Sequence, residues 1–279
     1  MIVTIVGVGL IGGSMALTLK EKAVATRIIG VDNNAAHQQK ALELGLVDEI
    51  MDLPDAVISS DLVILAIPVN AIQEVVLFIL DILDKQVVMD AGSTKSAILN
   101  LIKDHPKRGR FVATHPMWGT EYSGPEAAVK SAFISKATVI CNKEETDADA
   151  LEMVENIYKL LGMHLVYMNA EDHDVHVAYV SHISHITSFA LANTVLEKEK
   201  EEEAIFELAS GGFESTVRLA KSNPAMWVPI FKENRENVLD VLNEHISQLR
   251  KFKACLEKEN YDYLTDLIEQ ANKIKRIIK

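Results

Sequence analysis

Residues Ile2–Ser14 read IVTIVGVGLIGGS: an apolar β-branched run, a turn spelled Gly7-x-Gly9-x-x-Gly12, and the beginning of a helix. Each glycine answers a physical demand when such a turn holds a pyrophosphate. Gly7 allows the sharp turn, Gly9 lets the backbone approach the phosphates, and Gly12 permits close helix–strand packing. The helix start, at Leu10 and Ile11, offers free N–H groups and the positive end of the helix dipole. A glycine-rich turn by itself is weak evidence. Here it follows a strand, opens a helix, and is succeeded at the end of the next apolar run by Asp32, about the 20 residues on that a dinucleotide site requires. A carboxylate at Asp32 accepts both hydrogen bonds of an adenosine ribose diol and repels a 2′-phosphate, and Asn33 and Asn34 bring no compensating cation. The stretch therefore predicts a Rossmann-type domain that takes NAD in preference to NADP.

Outward from this turn, short β-branched runs alternate with helical patterns as far as Gly162, the rhythm of β-α-β units in a parallel sheet. The predicted strands are Ile2–Val6, Arg27–Val31, Leu62–Ile67, Gln86–Met89, Arg110–Thr114, Ala137–Cys141 and Met163–Tyr167. Helical patterns fall near Ile11–Lys20, Ala35–Leu44, Ala71–Ile82, Lys95–Ile102 and Asp147–Leu161, with Gly45 and Gly162 placed to close helices. Past Asn169 the strand signals stop, and apolar residues recur at helical spacing with breaks at Gly211–Gly212 and Ser222–Pro224. The expected architecture is α/β: an NAD-binding Rossmann domain over residues 1–168, then an all-helical substrate-binding and dimerisation domain over 169–279. Its longest helix is predicted from Pro224 to Lys258, kinked at Pro229 and roughly 50 Å long at about 1.5 Å per residue. A helix of that length on a small domain needs a partner, which predicts a homodimer.

Composition narrows the class of ligand. The formal net charge of −12, from 40 acidic and 28 basic residues, repels a nucleic-acid backbone. The run EKEKEEE at Glu197–Glu203 reads as the solvated end of a helix. Cys141 and Cys255 are too few for a disulfide framework and form no C-x-x-C pair, which suits a reducing cytosol. The first strand-like run begins at Ile2, leaving no room for a signal segment, and the most apolar stretch, Leu62–Leu80, is interrupted by Pro68, Asn70, Gln73 and Glu74. A cytoplasmic protein acting on a small molecule, with neither membrane nor nucleic acid as partner, is expected.

Ligands of an open α/β sheet lie beyond the carboxyl ends of its strands, so residues just past strands are the first candidates. Pro68 follows Leu62–Ile67 and is counted with the cofactor-binding residues. Gln86–Met89 leads into DAGSTK at Asp90–Lys95, and Arg110–Thr114 leads into HPMWGTE at His115–Glu121, both directed at the nicotinamide end. Ser93 and Thr94 also suit a helix N-cap. A neutral imidazole at His115 can take a hydroxyl proton while hydride leaves the same carbon, although the residue reads equally as a satisfied, partly buried histidine. His173, His176, His182 and His185 raise a metal reading, since His182 and His185 share a helix face. No carboxylate or cysteine stands at a convincing ligand spacing, so no metal is expected and a packed face with one pocket histidine is preferred.

Five segments, in order and across nearly the whole chain, resemble the prephenate/arogenate dehydrogenase family: the Gly7–Ser14 loop, DAGSTK at Asp90–Lys95, HPMWGTEYSG at His115–Gly124, SHISH at Ser181–His185 and GFESTVRLA at Gly212–Ala220. The resemblance implies an NAD-dependent oxidative decarboxylation of prephenate in tyrosine biosynthesis. Hydride passes to NAD, carbon dioxide leaves, and an aromatic ring forms. By matching positions, His115 is similar to the catalytic histidine that accepts the hydroxyl proton and Ser93 to the serine that hydrogen-bonds it. Arg218 is similar to the carboxylate-binding arginine, a role that also makes sense unaided, because a dianion approaching an acidic protein needs a local cation with forked geometry. The resemblance makes His185 a second pocket histidine and Thr120, Glu121, Gly211 and Trp227 lining residues.

Two positions depart from the family pattern. Trp118 stands where a small residue is usual and would reshape the pocket mouth; Ser215 stands where an aspartate is common, removing a negative charge near Arg218 and leaving prephenate against arogenate open. A fused regulatory or mutase domain is not expected. Two rivals stay open: a redox sensor that binds NAD without turnover, and a β-hydroxyacid or imine-reducing dehydrogenase. The latter would need a lysine in the helix at Asp172–Leu196, where none occurs.

Overall fold

Eight strands line up in the order β3-β2-β1-β4-β5-β6-β7-β8 in the computed structural model, which describes residues 1–200 and 205–277. The strands are β1 (Ile2–Val6), β2 (Arg27–Val31), β3 (Glu49–Ile50), β4 (Leu62–Leu65), β5 (Val87–Asp90), β6 (Phe111–Pro116), β7 (Ala137–Cys141) and β8 (His164–Met168). The predicted strands are all present, and the sequence reading missed only the two-residue β3, too short to show a period. Helices α1 (Leu10–Glu21), α2 (Ala35–Glu43), α3 (Leu53–Ile58), α4 (Val69–Ile82), α5 (Ser96–Ile102) and α6 (Ala148–Leu160) connect them. Apolar side chains alternate between two cores: Val3 and Ile5 of β1 join Met15 and Leu19 of α1 on one face, while Val63 and Leu65 of β4 join Ile72, Val76 and Ile79 of α4 on the other. Burial on both faces explains why the strands read as nearly continuous apolar runs. Gly45 and Gly162 take positive φ, +66° and +80°, where α2 and α6 end.

One pairing departs from the all-parallel expectation. β6 and β7 are antiparallel, with His115 opposite Val139, whereas every other pair is parallel. The Met117–Lys136 connection contains only a short 3₁₀ turn at Pro125–Ala127, and without a crossover helix the chain returns in the opposite direction. This connection folds back over the first helix: Val129 N–H donates to Ser14 Oγ at 2.9 Å.

All described elements after β8 are helical: α7 (Ala170–Val177), a π-helical turn at Ala178–His182, α8 (Ile183–Glu199), α9 (Gly211–Val217), α10 (Pro224–Glu233), α11 (Arg235–Glu257), α12 (Tyr261–Asn272) and 3₁₀ turns at Phe206–Leu208, Arg218–Lys221 and Lys273–Arg276. Glu197–Glu199 of the acidic run end α8, while Glu201–Glu203 lie outside the described residues. The predicted single helix over Pro224–Lys258 is two helices, and the break is at Asn234 (φ −106°, ψ 27°), not at Pro229, which sits inside α10. The cause is tertiary: Asn234 Nδ2 donates to Asp174 O at 2.6 Å and to His182 Nδ1 at 3.2 Å, a commitment that helical backbone geometry yields to. The chain separates into two compact units at this same point, Met1–Asn234 and the residues from Arg235 onward. Among the described residues no helix is long and apolar enough to cross a membrane.

Candidate active site

The glycine turn sits where the sheet order reverses, with β2 on one side of β1 and β4 on the other, so a crevice opens beyond their carboxyl ends. Gly7 has φ +94°, its N–H bonds Val31 O at 2.8 Å, and a Cβ there would lie 2.5 Å from Ala66 O. A Cβ on Gly12 would run into Gly7 O and Ile5. Gly9 differs: a Cβ would find nothing nearer than Gly124 N at 4.0 Å, leaving open space at the N-cap of α1, in front of Leu10 and Ile11. Two of the glycines serve packing and the third leaves a cradle that a diphosphate fits. Pro68 is exposed at the N-cap of α4, at the carboxyl end of β4. Asp32 is anchored by Val8 N–H at 3.2 Å and Asn34 N–H at 2.9 Å. It borders a cavity of about 660 Å³ whose lining includes Asp52, Asp55, Ile50 and Leu53 and no lysine or arginine. Three carboxylates facing this space suit a ribose diol and oppose a 2′-phosphate.

His115 projects from β6 and is half-buried. Its Nδ1 lies 2.9 Å from His173 Nε2, and the two rings meet edge-on with centroids 5.1 Å apart. His173, fully buried on α7, in turn places Nδ1 2.8 Å from Asp174 Oδ1. Asp174 accepts from Lys95 N–H at 2.8 Å and Ser96 N–H at 2.9 Å, so it caps α5 from 79 and 78 residues away. Neither Ser93 nor Thr94 acts as that cap: the N-cap position is Lys95, whose side chain makes no capping hydrogen bond. Beneath lies a fully buried ion pair between Lys95 Nζ and Asp90, whose other oxygen accepts Thr114 N–H at 3.0 Å, immediately before His115. Among the described residues Ser93 makes no hydrogen bond to His115; the ring is held by His173 instead. Ser93 is half-buried in the β5–α5 loop.

The remaining candidates cluster around α8, α10 and the Arg218 turn. Arg218 Nη1 donates to Glu121 Oε2 at 2.9 Å, which joins two of the predicted residues across 97 positions; the arginine side chain is 50% exposed and that of Glu121 13%. The Glu121 carboxyl is held below the usual carboxylate range by its own backbone N–H, with burial opposing and Arg218 assisting. His185 stacks on Trp227 with centroids 3.4 Å apart, and its Nδ1 donates to Ser181 O at 3.0 Å. Trp227, 6% exposed, packs with Ile230 against Val69 beside Pro68, bringing this cluster to the cofactor crevice. Its Nε1–H is buried with no partner among the described residues, as is His182 Nε2. His182 Nδ1 accepts from Asn234, so in the neutral ring Nε2 carries the proton, and both orphans are donors. Thr120 is half-buried, its Oγ1 accepting Tyr122 N–H at 3.3 Å, and Gly211 is exposed at the start of α9. Trp118 points its ring at Phe133, edge to face at 5.3 Å, and packs on the sheet core, which answers its unusual size. The four histidines of the second half are used separately: His173 on His115, His182 on Asn234, His185 on Trp227, with His176 exposed.

Sequence reading therefore missed Asp174 and Asn234, and it named Asp90 and Lys95 within the DAGSTK segment and His173 and His182 among the histidines without the partners they have here. Only the adjacent His173–Asp174 pair carried a local signal. The electrostatics follow from enclosure. Burial pushes the His115 imidazole well below 6.5, with His173, Lys95 and His182 adding to the effect. Burial also lowers His173, although Asp174 opposes, and drives His182 down to about 4. In the unfolded chain each titrates near 6.5, so between those limits the unfolded state binds more protons. This contribution to stability is complete above about pH 6.5 and is lost as pH falls towards the folded values. His182 alone should cost roughly 2 kcal/mol by pH 5, so Tm is expected to be lower at pH 5 than at pH 7.5. Equal melting temperatures would contradict the buried, neutral assignment.

Residues 15–167 match the family model described as prephenate dehydrogenase, nucleotide-binding domain, and residues 169–270 match that described as prephenate dehydrogenase, dimerization domain. The chain is 33% identical over 270 residues to prephenate dehydrogenase of Bacillus subtilis, covering 94% of this chain and 72% of that protein. It is 30% identical over 280 residues to cyclohexadienyl dehydrogenase of Zymomonas mobilis, covering 99% and 96%. The crystal structure of prephenate dehydrogenase from Aquifex aeolicus in complex with hydroxyphenyl propionate and NAD+ superposes with a TM-score of 0.89 at 33% identity, over 99% of this chain and 97% of that one.

Proposed function

Because the chain belongs to the prephenate dehydrogenase family, with an NAD-binding domain, we propose that it oxidatively decarboxylates prephenate to 4-hydroxyphenylpyruvate, with His115 as the base and Arg218 as the carboxylate ligand. The observation that carries this reading is that both groups meet on one short segment: His115 begins the His115–Glu121 stretch, and Arg218 is bonded to its far end at Glu121. NAD, when bound, accepts the hydride that leaves the hydroxyl-bearing ring carbon. Leu10 and Ile11 hold its diphosphate at the open space over Gly9, Asp32 its ribose, and Pro68 lines the crevice.

The residues of the chain manage the proton and the charge. His115 takes the hydroxyl proton as that carbon becomes a carbonyl carbon. When the bond to the ring carboxylate breaks, its electron pair enters the ring, carbon dioxide departs, and the oxygen recovers the proton from His115 to give the phenol. Ser93 orients the reacting oxygen. Arg218 holds a carboxylate in exchange for Glu121, and the donors at Trp227 and His182 suit an anionic oxygen. His185, Thr120 and Gly211 complete the lining. Arogenate would bring an ammonium group, and Ser215 offers no carboxylate to receive it, which favours prephenate. Reduced-cofactor absorbance, followed with prephenate and arogenate in parallel, should rise faster with prephenate. Turnover of neither would leave an NAD-binding sensor as the better reading.

Asp32→Ala should narrow the preference for NAD over NADP, read as the ratio of kcat/KM values; an unchanged ratio would remove Asp32 from the site. The proposal extends to quaternary structure and place: residues 169–279 bind substrate and pair two copies into a cytoplasmic homodimer, the pairing being what the dimerization-domain description of the family model matched by residues 169–270 supports. Sedimentation of a single-chain species at micromolar concentration would overturn the dimer.

A further inference from the structure

We infer that Asp174 and His173 form a positioning relay that fixes His115 with its Nε2 bare, ready to accept the substrate proton. The inference rests on His115 being the base, and it follows from hydrogen-bond bookkeeping along one line of atoms. An ionised Asp174 is an acceptor only, so the proton in the 2.8 Å contact belongs to His173 Nδ1. Neutral His173 then has an unprotonated Nε2, which must accept in the 2.9 Å contact with His115. The proton there sits on His115 Nδ1, and neutral His115 presents a lone pair at Nε2. The line is anchored at its far end by two backbone N–H groups of Lys95 and Ser96 on Asp174, so the carboxylate does not turn away.

The protonation states this requires agree with the surroundings. Burial pulls the Asp174 carboxyl upward, but the bonds from His173 and the backbone N–H groups outweigh it and keep the group below the usual range. Burial keeps His173 below 6.5. The groups facing His115 come from three elements: His173 on α7, Lys95 in the β5–α5 loop and His182 in the π-helical turn. When His115 gains the substrate proton, its Nδ1–H donates more strongly to His173, and the Asp174 charge behind it stabilises the imidazolium. An aspartate behind a catalytic histidine does the same in hydrolytic triads, where it also sets the tautomer; here a second imidazole is interposed.

The test uses the full-length enzyme with prephenate and NAD. His173→Ala removes the acceptor while leaving the backbone bonds of Asp174 in place; kcat should fall by roughly 10²-fold with KM within about threefold. His173→Gln returns a carbonyl oxygen able to accept from His115 Nδ1–H and should recover about tenfold of that loss. A His173→Ala enzyme within about threefold of the parent kcat, or a His173→Gln enzyme no better than His173→Ala, would overturn the relay. Should these variants fail to fold, long-range ¹H–¹⁵N spectra of the unmodified enzyme decide the matter: His115 should be protonated at Nδ1 and bare at Nε2, and the opposite tautomer refutes the inference. His115→Asn is the control beneath it, since near-normal turnover there would defeat the base assignment itself.

Discussion

His115→Asn is expected to lower kcat by roughly 10²–10⁴ while KM for prephenate changes only a few-fold. Asparagine keeps polar bulk at the end of β6, and its amide N–H can still donate to His173 Nε2, now 2.9 Å from His115 Nδ1. What it lacks is a nitrogen that can take a proton. The transition state, in which the hydroxyl proton and the hydride leave together, loses a partner that the ground state barely uses, and such a loss appears in kcat. The expected range corresponds to about 3–5 kcal/mol, a large effect for one side chain but less than abolition, because Arg218 and the cofactor cradle still position the reactants. Initial rates at saturating NAD over a range of prephenate concentrations give both constants. A rise in KM as large as the fall in kcat would mean that His115 binds substrate and does not assist the chemistry.

Arg218→Ala should show the complementary pattern, raising KM by roughly 10–10²-fold with little change in kcat. A forked, charge-assisted contact to a carboxylate exists in ground state and transition state alike, so its loss weakens uniform binding. Two features of the site set the magnitude. The guanidinium is 50% exposed, so solvent screens it and keeps the effect below that of a buried pair. Against that, the variant frees the Glu121 carboxylate, now bonded to Arg218 at 2.9 Å, to face an anionic substrate. Arg218→Lys should recover only part of the affinity, because an ammonium is a point charge and cannot fork. A large fall in kcat with KM unmoved would place Arg218 in the chemical step and undo this division of labour.

The cofactor half of the site was legible in the sequence because it is local. Gly7, Gly9 and Gly12 occupy one turn, their reasons are conformational, and Asp32 ends the neighbouring strand; periodicity located both strands without error in their bounds. The substrate half is assembled from residues far apart in the chain, such as Arg218 on Glu121 and Asp174 on the amides of α5, and spacing carries no trace of such pairs. There only the resemblance in short motifs offered candidates, among them Arg218 and Glu121, which the fold brings together. The same limit explains the errors. The antiparallel β6–β7 pair follows from a connection lacking a helix, and the helix break at Asn234 follows from bonds to Asp174 and His182. Proline acts on the helix locally and is visible in sequence at Pro229, whereas Asn234, where the helix breaks, acts through tertiary contacts.

At the centre of the proposal is a convergence: the imidazole of β6 and the guanidinium of the turn after α9 would address one small dianion next to the nicotinamide. A crystal structure with NAD and an unreactive prephenate analogue reads this directly. The analogue's ring oxygen is predicted within about 3 Å of His115 Nε2, with a carboxylate of the same molecule forked on Arg218 in place of Glu121. An analogue bound on Arg218 with its ring oxygen turned away from His115, or seated elsewhere with Arg218 still on Glu121, would contradict it.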